Sequence, residues 1–173
     1  GGTAVGIKSA NDGTVDIGAA SRELTSSDPT LVKHLLARDG IAIVTHPSNS
    51  VASLTKEQIV GIYAGNITNW NQVGGPDRSI DVVAREEGSG TRTAFQDLVM
   101  GKALIKANAI LQPSNGALKT AVSSDPQAVG FLSIGYIDNS VKAVAINGVA
   151  ATEENAKNGT YPIVRPLYFL TKA

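Results

Sequence analysis

Cysteine is absent from the 173 residues, which excludes disulfides, thiolate nucleophiles and cysteine-held metals but leaves the compartment open, because exported chains also do without it. Excess charge is absent too. Fifteen Lys and Arg balance fifteen Asp and Glu, for a formal net charge of +0. A chain so balanced is not built to coat nucleic acid or an anionic membrane, so any charged ligand has to be met locally. No stretch reaches the roughly 18 uninterrupted apolar residues of a membrane-spanning helix. An exported chain sheds its leader on maturation, so the opening residues decide nothing about compartment.

What is present suits a folded α/β chain. Hydrophobic residues make up 42% and charged residues 17%, enough apolar surface to offset chain entropy. Helical and strand-like patches alternate between glycine-marked turns, the pattern of α/β layers. A helix is expected from about Thr3 to Ala10, then a buried strand end in "TVDIGAAS" with Val15 and Ile17 alternating. Ser27 or Asp28 is placed to cap a helix in "PTLVKHLLARDG", with Pro29 at its first position, Gly40 past its end, and Leu31 and Leu35 as its buried stripe. "IAIVTHP" (Ile41 to Pro47) is the clearest strand. Thr55 and Gln58 form a capping box opening "KEQIVGIYAG", with Ile59 and Tyr63 on one face and Gly65 as terminator. "NITNWNQVGGPDRS" reads as an ordered loop and "IDVVA" as a strand. A helix over "TRTAFQDLVMG" turns Phe95 and Leu98 inward. A helix in "NGALKTAVSSDP", a buried "AVGFLSIGYI", a strand "VKAVAIN", a helix in "TEENAKNG" and a terminal strand "PLYFLT" complete the pass.

The stretch "AREEGSGTRTAF" (Ala84 to Phe95) carries the chemistry. A helix N-terminus presents unpaired N–H groups and about half a positive charge, so it accepts an anion. Glycines flanking Ser89 let the backbone approach a ligand, Ser89 and Thr91 add hydroxyl donors, and Arg85 and Arg92 offer planar forks that match a tetrahedral oxyanion. A plain capped turn fits the same letters. It is no P-loop, since no GK[ST] follows, and no G-x-G-x-x-G, since position 93 is Thr. "GGTAVGIK" repeats the theme with Thr3 at a helix start, and "DIGAASREL" ends a strand with Ser21 and Arg22. Each alone is compatible with capping or solvation. His34 and His46 stand in no ligand-spaced motif, and Trp70 reads as packing.

The order "GGTAVGIK … GTVDIGAASREL … GIAIVTHPSN … LTKEQIVGIYAGNITNWNQVGG … REEGSGTRTAF … AVGFLSIGYI … PLYFLTK" resembles, over nearly the whole chain, the phosphate-binding subunit of bacterial ABC phosphate importers. The resemblance implies a type II periplasmic-binding-protein fold, two α/β lobes joined by hinge strands and closing on an anion. Lobe one would take residues 1–46 and 141–173, and lobe two residues 47–140, with "IAIVTHP" and "NSVKAVA" as crossings. It implies phosphate ligands at Arg85, Ser89, Gly90, Thr91 and Thr3, with Ser21, Arg22 and Arg92 beside them. It also implies inorganic phosphate and ABC permease subunits as partners, no nucleic acid, no cofactor or metal, no catalysis, and a periplasmic or extracellular location, free or anchored to the membrane through a leader not present in this chain.

Two departures bear on those expectations. Where some members place an aspartate that accepts the phosphate proton, this chain has Ser21 followed by Arg22, so the anionic acceptor on which discrimination against sulfate rests is missing at that place; Glu86 or Glu87 could substitute, or be solvated loop charges. The family's opening strand would also precede Gly1, and a helical region follow Ala173. Lobe one would then be incomplete, with weaker phosphate binding or a strand borrowed from a second copy. Rival readings are an oxyanion-sensing or adhesive domain and a phosphate-ester hydrolase.

Overall fold

A computed structural model describes residues 2–172. In chain order the elements are α1 (Thr3–Asp12), β1 (Gly18–Ala20), β2 (Val32–Thr45), β3 (Ser53–Leu54), α2 (Lys56–Ala64), β4 (Asp81–Arg85), α3 (Gly90–Phe95), β5 (Ile110–Gln112), α4 (Asn115–Ser123), β6 (Ala128–Ser133), β7 (Lys142–Ile146), α5 (Glu153–Lys157) and β8 (Val164–Thr171). Short 3₁₀ turns at Trp70–Val73 and Ile134–Tyr136 and a π turn at Gln96–Met100 complete them. The mixed sheet runs β1-β8-β2-β6-β4-β5, with β7 on the far half of β2 and β3 on β7.

The sheet is organised by β2, 14 residues long. Its first half pairs antiparallel with β8, from Val32 opposite Thr171 to Gly40 opposite Val164, with a bulge at Leu36. Its second half, Ile41 to Thr45, pairs with β6 on one side and β7 on the other. Burial changes at the same point: Val32 to Arg38 are exposed, whereas Ile41 to Val44 are fully buried. Two hydrophobic clusters follow from this. The small one gathers Ile7, Ala10, Ala20, Leu31, Tyr168 and Leu170 around α1, β1 and the end of β8. The large one spans the rest, centred on Phe131 stacked on Phe95 (centroids 4.2 Å apart) with Tyr63 tilted against both. Val141, Val144, Ile146, Tyr161 and Ile163 belong to the large cluster and Tyr168 and Leu170 to the small one, so the boundary between the clusters falls within β8.

Most local expectations hold at their stated places. Thr55 and Gln58 form both bonds of the capping box, and Gly65 ends α2 at φ 85°, a left-handed conformation that suits glycine. Trp70 is buried and donates from Nε1 to the Gln127 carbonyl at 2.9 Å. Within the expected helix over Pro29 to Asp39, Val32 to Asp39 form instead the first half of β2, while Leu31 just before it is buried as expected, in the small cluster. Asp28 caps nothing there. Its carboxylate accepts from the Thr25 N–H and the Arg22 fork, and β8 supplies the ladder that fixes the strand, so tertiary pairing overrides an ambiguous apolar run. Leu35 is therefore 53% exposed. Val15 and Ile17, read as part of a buried strand end, are also exposed. Leu98 turns outward because the helix after Phe95 widens to a π turn, with the Gly101 N–H bonding the Gln96 carbonyl, so Val99 and Met100 take the inward positions.

Phe131→Ala should destabilise the chain by about 3–5 kcal/mol, whereas Leu35→Ser should change stability by no more than about 0.5 kcal/mol. Urea unfolding of both variants checks the assignment; a large loss at Leu35 would contradict the strand.

Candidate functional site

Where the small cluster faces the large one, a cleft of about 650 Å³ opens. Its polar wall includes Gly2, Thr3, Ser21, Asp39, Arg85, Ser89, Gly90, Thr91, Asn115, Ser133 and Arg165; the rest is apolar and includes Val5, Val15, Ile17, Leu36 and Phe169. Three segments deliver the part of the polar side that gathers around Gly90. The start of α1 brings Thr3, the end of β1 leads into Ser21, and the turn between β4 and α3 brings Arg85 and residues 88–91.

The three segments meet at a contact only glycine permits. A methyl on Gly90 would lie 2.0 Å from Thr3 Oγ1 and 2.4 Å from Ser21 Oγ, and one on Gly2 would lie 2.6 Å from the Gly88 carbonyl oxygen. The Ala4 N–H spans the same junction to that carbonyl at 3.2 Å. The hydroxyls of Thr3 and Ser21 thus sit directly on the Gly-Ser-Gly turn.

Hydrogen bonding within the protein then decides what these groups can offer. Ser89 Oγ accepts the Arg92 N–H at 3.1 Å as the cap of α3. Thr3 Oγ1 accepts the Ser21 N–H at 3.0 Å and lies 3.1 Å from Ser21 Oγ. Thr91 Oγ1 accepts from Arg165 Nη1 at 2.5 Å. A hydroxyl has one proton, so an oxygen already accepting from the protein keeps that proton to donate. The Gly90 and Thr91 amides begin α3, where no intrahelical acceptor exists.

Arg85 is 6% exposed. Its Nε bonds Glu86 Oε2 and the Gln112 carbonyl, and its Nη2 bonds Glu86 Oε1 and the Pro113 carbonyl. Nη1 has no acceptor among the described residues. Glu86 is thus the partner of Arg85. The fixed guanidinium, the hydroxyls that each already accept one N–H and the two amides form a buried set of donors suited to a compact anion.

Of the residues expected at the site, Arg85, Ser89, Gly90, Thr91, Thr3 and Ser21 line the cleft. Arg22 and Arg92 do not. Arg22 forks onto both oxygens of Asp28 at 2.7 and 2.9 Å and onto the Glu23 carbonyl, and Arg92 Nη1 donates to the Arg85 carbonyl at 2.6 Å. Both are framework contacts. His34 Nε2 pairs with Thr171 and His46 Nδ1 with Ser48, away from the cleft.

Sequence reasoning missed Asp39 and Arg165. Arg165 is 3% exposed; its Nε and Nη2 both reach Asp39 Oδ2, at 3.1 and 3.0 Å, and Nη1 also meets the Ser21 carbonyl at 3.4 Å. Asp39 Oδ1 accepts from Ser133 Oγ at 2.8 Å. Burial draws the Arg165 guanidinium below its ordinary value while Asp39 opposes that shift. The signal was a lone arginine inside an apolar terminal run, one residue before the strand was taken to begin.

Comparison with known proteins follows the same lines. The family model described as a PBP superfamily domain matches residues 1–173. A Bacillus subtilis protein named phosphate-binding protein PstS is 33% identical over 168 residues, covering 94% of this chain and 56% of that protein. The chain thus spans little more than half the length of that relative. A Clostridium perfringens crystal structure, described as a phosphate ABC transporter substrate-binding protein with bound phosphate, is 44% identical with a TM-score of 0.96, over 99% of this chain and 72% of that one. A Vibrio cholerae structure described as an ABC-type phosphate transport receptor is 43% identical with a TM-score of 0.82, over 99% and 73%.

Arg22→Ala tests the framework reading. The Arg22 fork, followed by the Thr25 contacts, holds the Asp28 carboxyl well below the usual carboxylate range. A carboxyl depressed in the folded state contributes stability in full above its unfolded value near 3.9, and loses it as pH falls toward the folded value. Arg22→Ala should therefore cost about 1–3 kcal/mol at neutral pH. The difference from the parent should shrink below about pH 4, as denaturant melts across pH would show.

Proposed function

The chain belongs to the PBP superfamily and within it to the phosphate-binding proteins of ABC importers, and from that premise we propose that it captures inorganic phosphate outside the cytoplasm for an ABC permease. The observation that carries the reading is the buried donor set around Gly90, in which every neutral hydroxyl oxygen already accepts from the protein or faces another hydroxyl. Such a wall can replace the water around an oxyanion. Burying an unpartnered ionised group costs several kcal/mol or more, so a dense, prearranged set of donors is what capture requires.

The lobes, on this reading, follow the two clusters. The small cluster carries Thr3 and Ser21, the large one carries Arg85 and Ser89 to Thr91, and β2 and β8 cross between them. Closing brings the two donor sets onto one ion, and the closed form is what a permease would recognise. A phosphate-ester hydrolase would need a nucleophile with a placed base or a metal cluster; the relatives' names describe binding and transport.

Inorganic phosphate should raise the melting temperature of the chain, because a ligand confined to the native state stabilises it. Arg85→Ala should weaken phosphate binding by about 2–4 kcal/mol, and Ser89→Ala by about 1–2 kcal/mol. Isothermal titration reads both, and phosphate affinity unchanged in either variant would remove the site assignment.

A further inference from the structure

Arg165 and Asp39 are cross-strand partners on β8 and β2, at the point where the sheet passes from the small cluster to the large one. Arg165 is buried, and its guanidinium is divided among three segments. One edge is fixed by Asp39 Oδ2, and Nη1 reaches the Ser21 carbonyl at 3.4 Å on the small-cluster side and Thr91 Oγ1 at 2.5 Å on the large-cluster side. Asp39 is held in turn by Ser133. Thr91 faces the cleft, and because its oxygen accepts a charged N–H, its own proton is left to donate. A lysine in this place would be a point charge without the fork that engages all three partners.

Resting on the phosphate-binding reading, we infer that Arg165, held by Asp39, is a positioning residue of the anion site: it fixes the Thr91 hydroxyl as a donor and ties the loop after β1 to the start of α3. Arg165 acts through Thr91, so removing one should make the other nearly irrelevant. A merely structural arginine would show no such dependence.

The test is a double-mutant cycle on phosphate affinity by isothermal titration, with unliganded melting curves beside it. Because Arg165→Gln alone would strand the Asp39 charge, the background is Arg165→Gln with Asp39→Asn, a neutral pair of similar shape. In the parent, Thr91→Val should weaken phosphate binding about tenfold. In the neutral-pair background it should weaken binding by no more than about threefold, the background itself having lost about ten- to a hundredfold. Arg165→Lys, which keeps Asp39 paired, should also lose about tenfold while holding its melting temperature. Losses that multiply independently, or full affinity in Arg165→Lys, would overturn the positioning role while leaving the phosphate reading intact. A parent that binds no phosphate would overturn both.

Discussion

The ion pair between Asp39 and Arg165 constrains the cleft more than any other contact. It joins the two longest strands where burial, pairing partners and hydrophobic cluster all change. A buried ion pair is weak evidence for stability, since desolvating two charges can cancel their attraction. Its position is the better guide to its role. From the register of β2 against β8, the pair reaches Ser133 behind it and Ser21 and Thr91 in front. The side chain that ties the strands thus also meets both walls of the cleft.

The second constraint is the direction of hydrogen bonds. Ser89, Thr3 and Thr91 each look amphoteric in a sequence, yet each hydroxyl oxygen receives an N–H from the protein. Each is thereby biased toward donation. Arg85 follows the same logic: two of its nitrogens are occupied by Glu86 and by the carbonyls of Gln112 and Pro113, which holds the third in a fixed direction. Formal charge at the site is nearly balanced by these pairs. Recognition of an anion by the proposed site would therefore rely on oriented dipoles and the one remaining Arg85 nitrogen more than on net positive potential, consistent with a chain whose overall charge is zero.

How much of this was legible varies with the range of the interaction involved. The capping box at Thr55, the strand from Ile41 and the Gly-Ser-Gly turn are written in neighbouring residues, and the structure places them where the letters do. The segment from Val32 to Asp39 is extended because β8, more than a hundred residues away, pairs with it, and no local pattern carries that. Leu98 was misplaced by a single π turn. Arg22 and Arg92 were drawn to the site by residue type alone, since an arginine near a donor-rich loop looks the same whether it faces a ligand or a neighbouring carboxylate. Asp39 and Arg165 were missed for the converse reason: each is separated from the site in sequence and joined to it only by the sheet.

The junction between the two clusters explains why such a cleft would respond to an ion. Across it run the Ala4 to Gly88 backbone bond, the Arg165 contacts to Ser21 and Thr91, and the packing of Gly2 and Gly90 against the opposite wall. The two hydrophobic clusters remain separate. These cross-junction links between the two walls are polar or backbone contacts rather than a shared apolar core. On the proposed reading, drawing the walls together brings the Thr3 and Ser21 hydroxyls and the Gly90 and Thr91 amides to one place, and buried donors left without acceptors are costly. An oxyanion supplies those acceptors to both walls at once. On that reading it would bind the closed form better than an open one, and by that difference in affinity alone would shift the population toward closure.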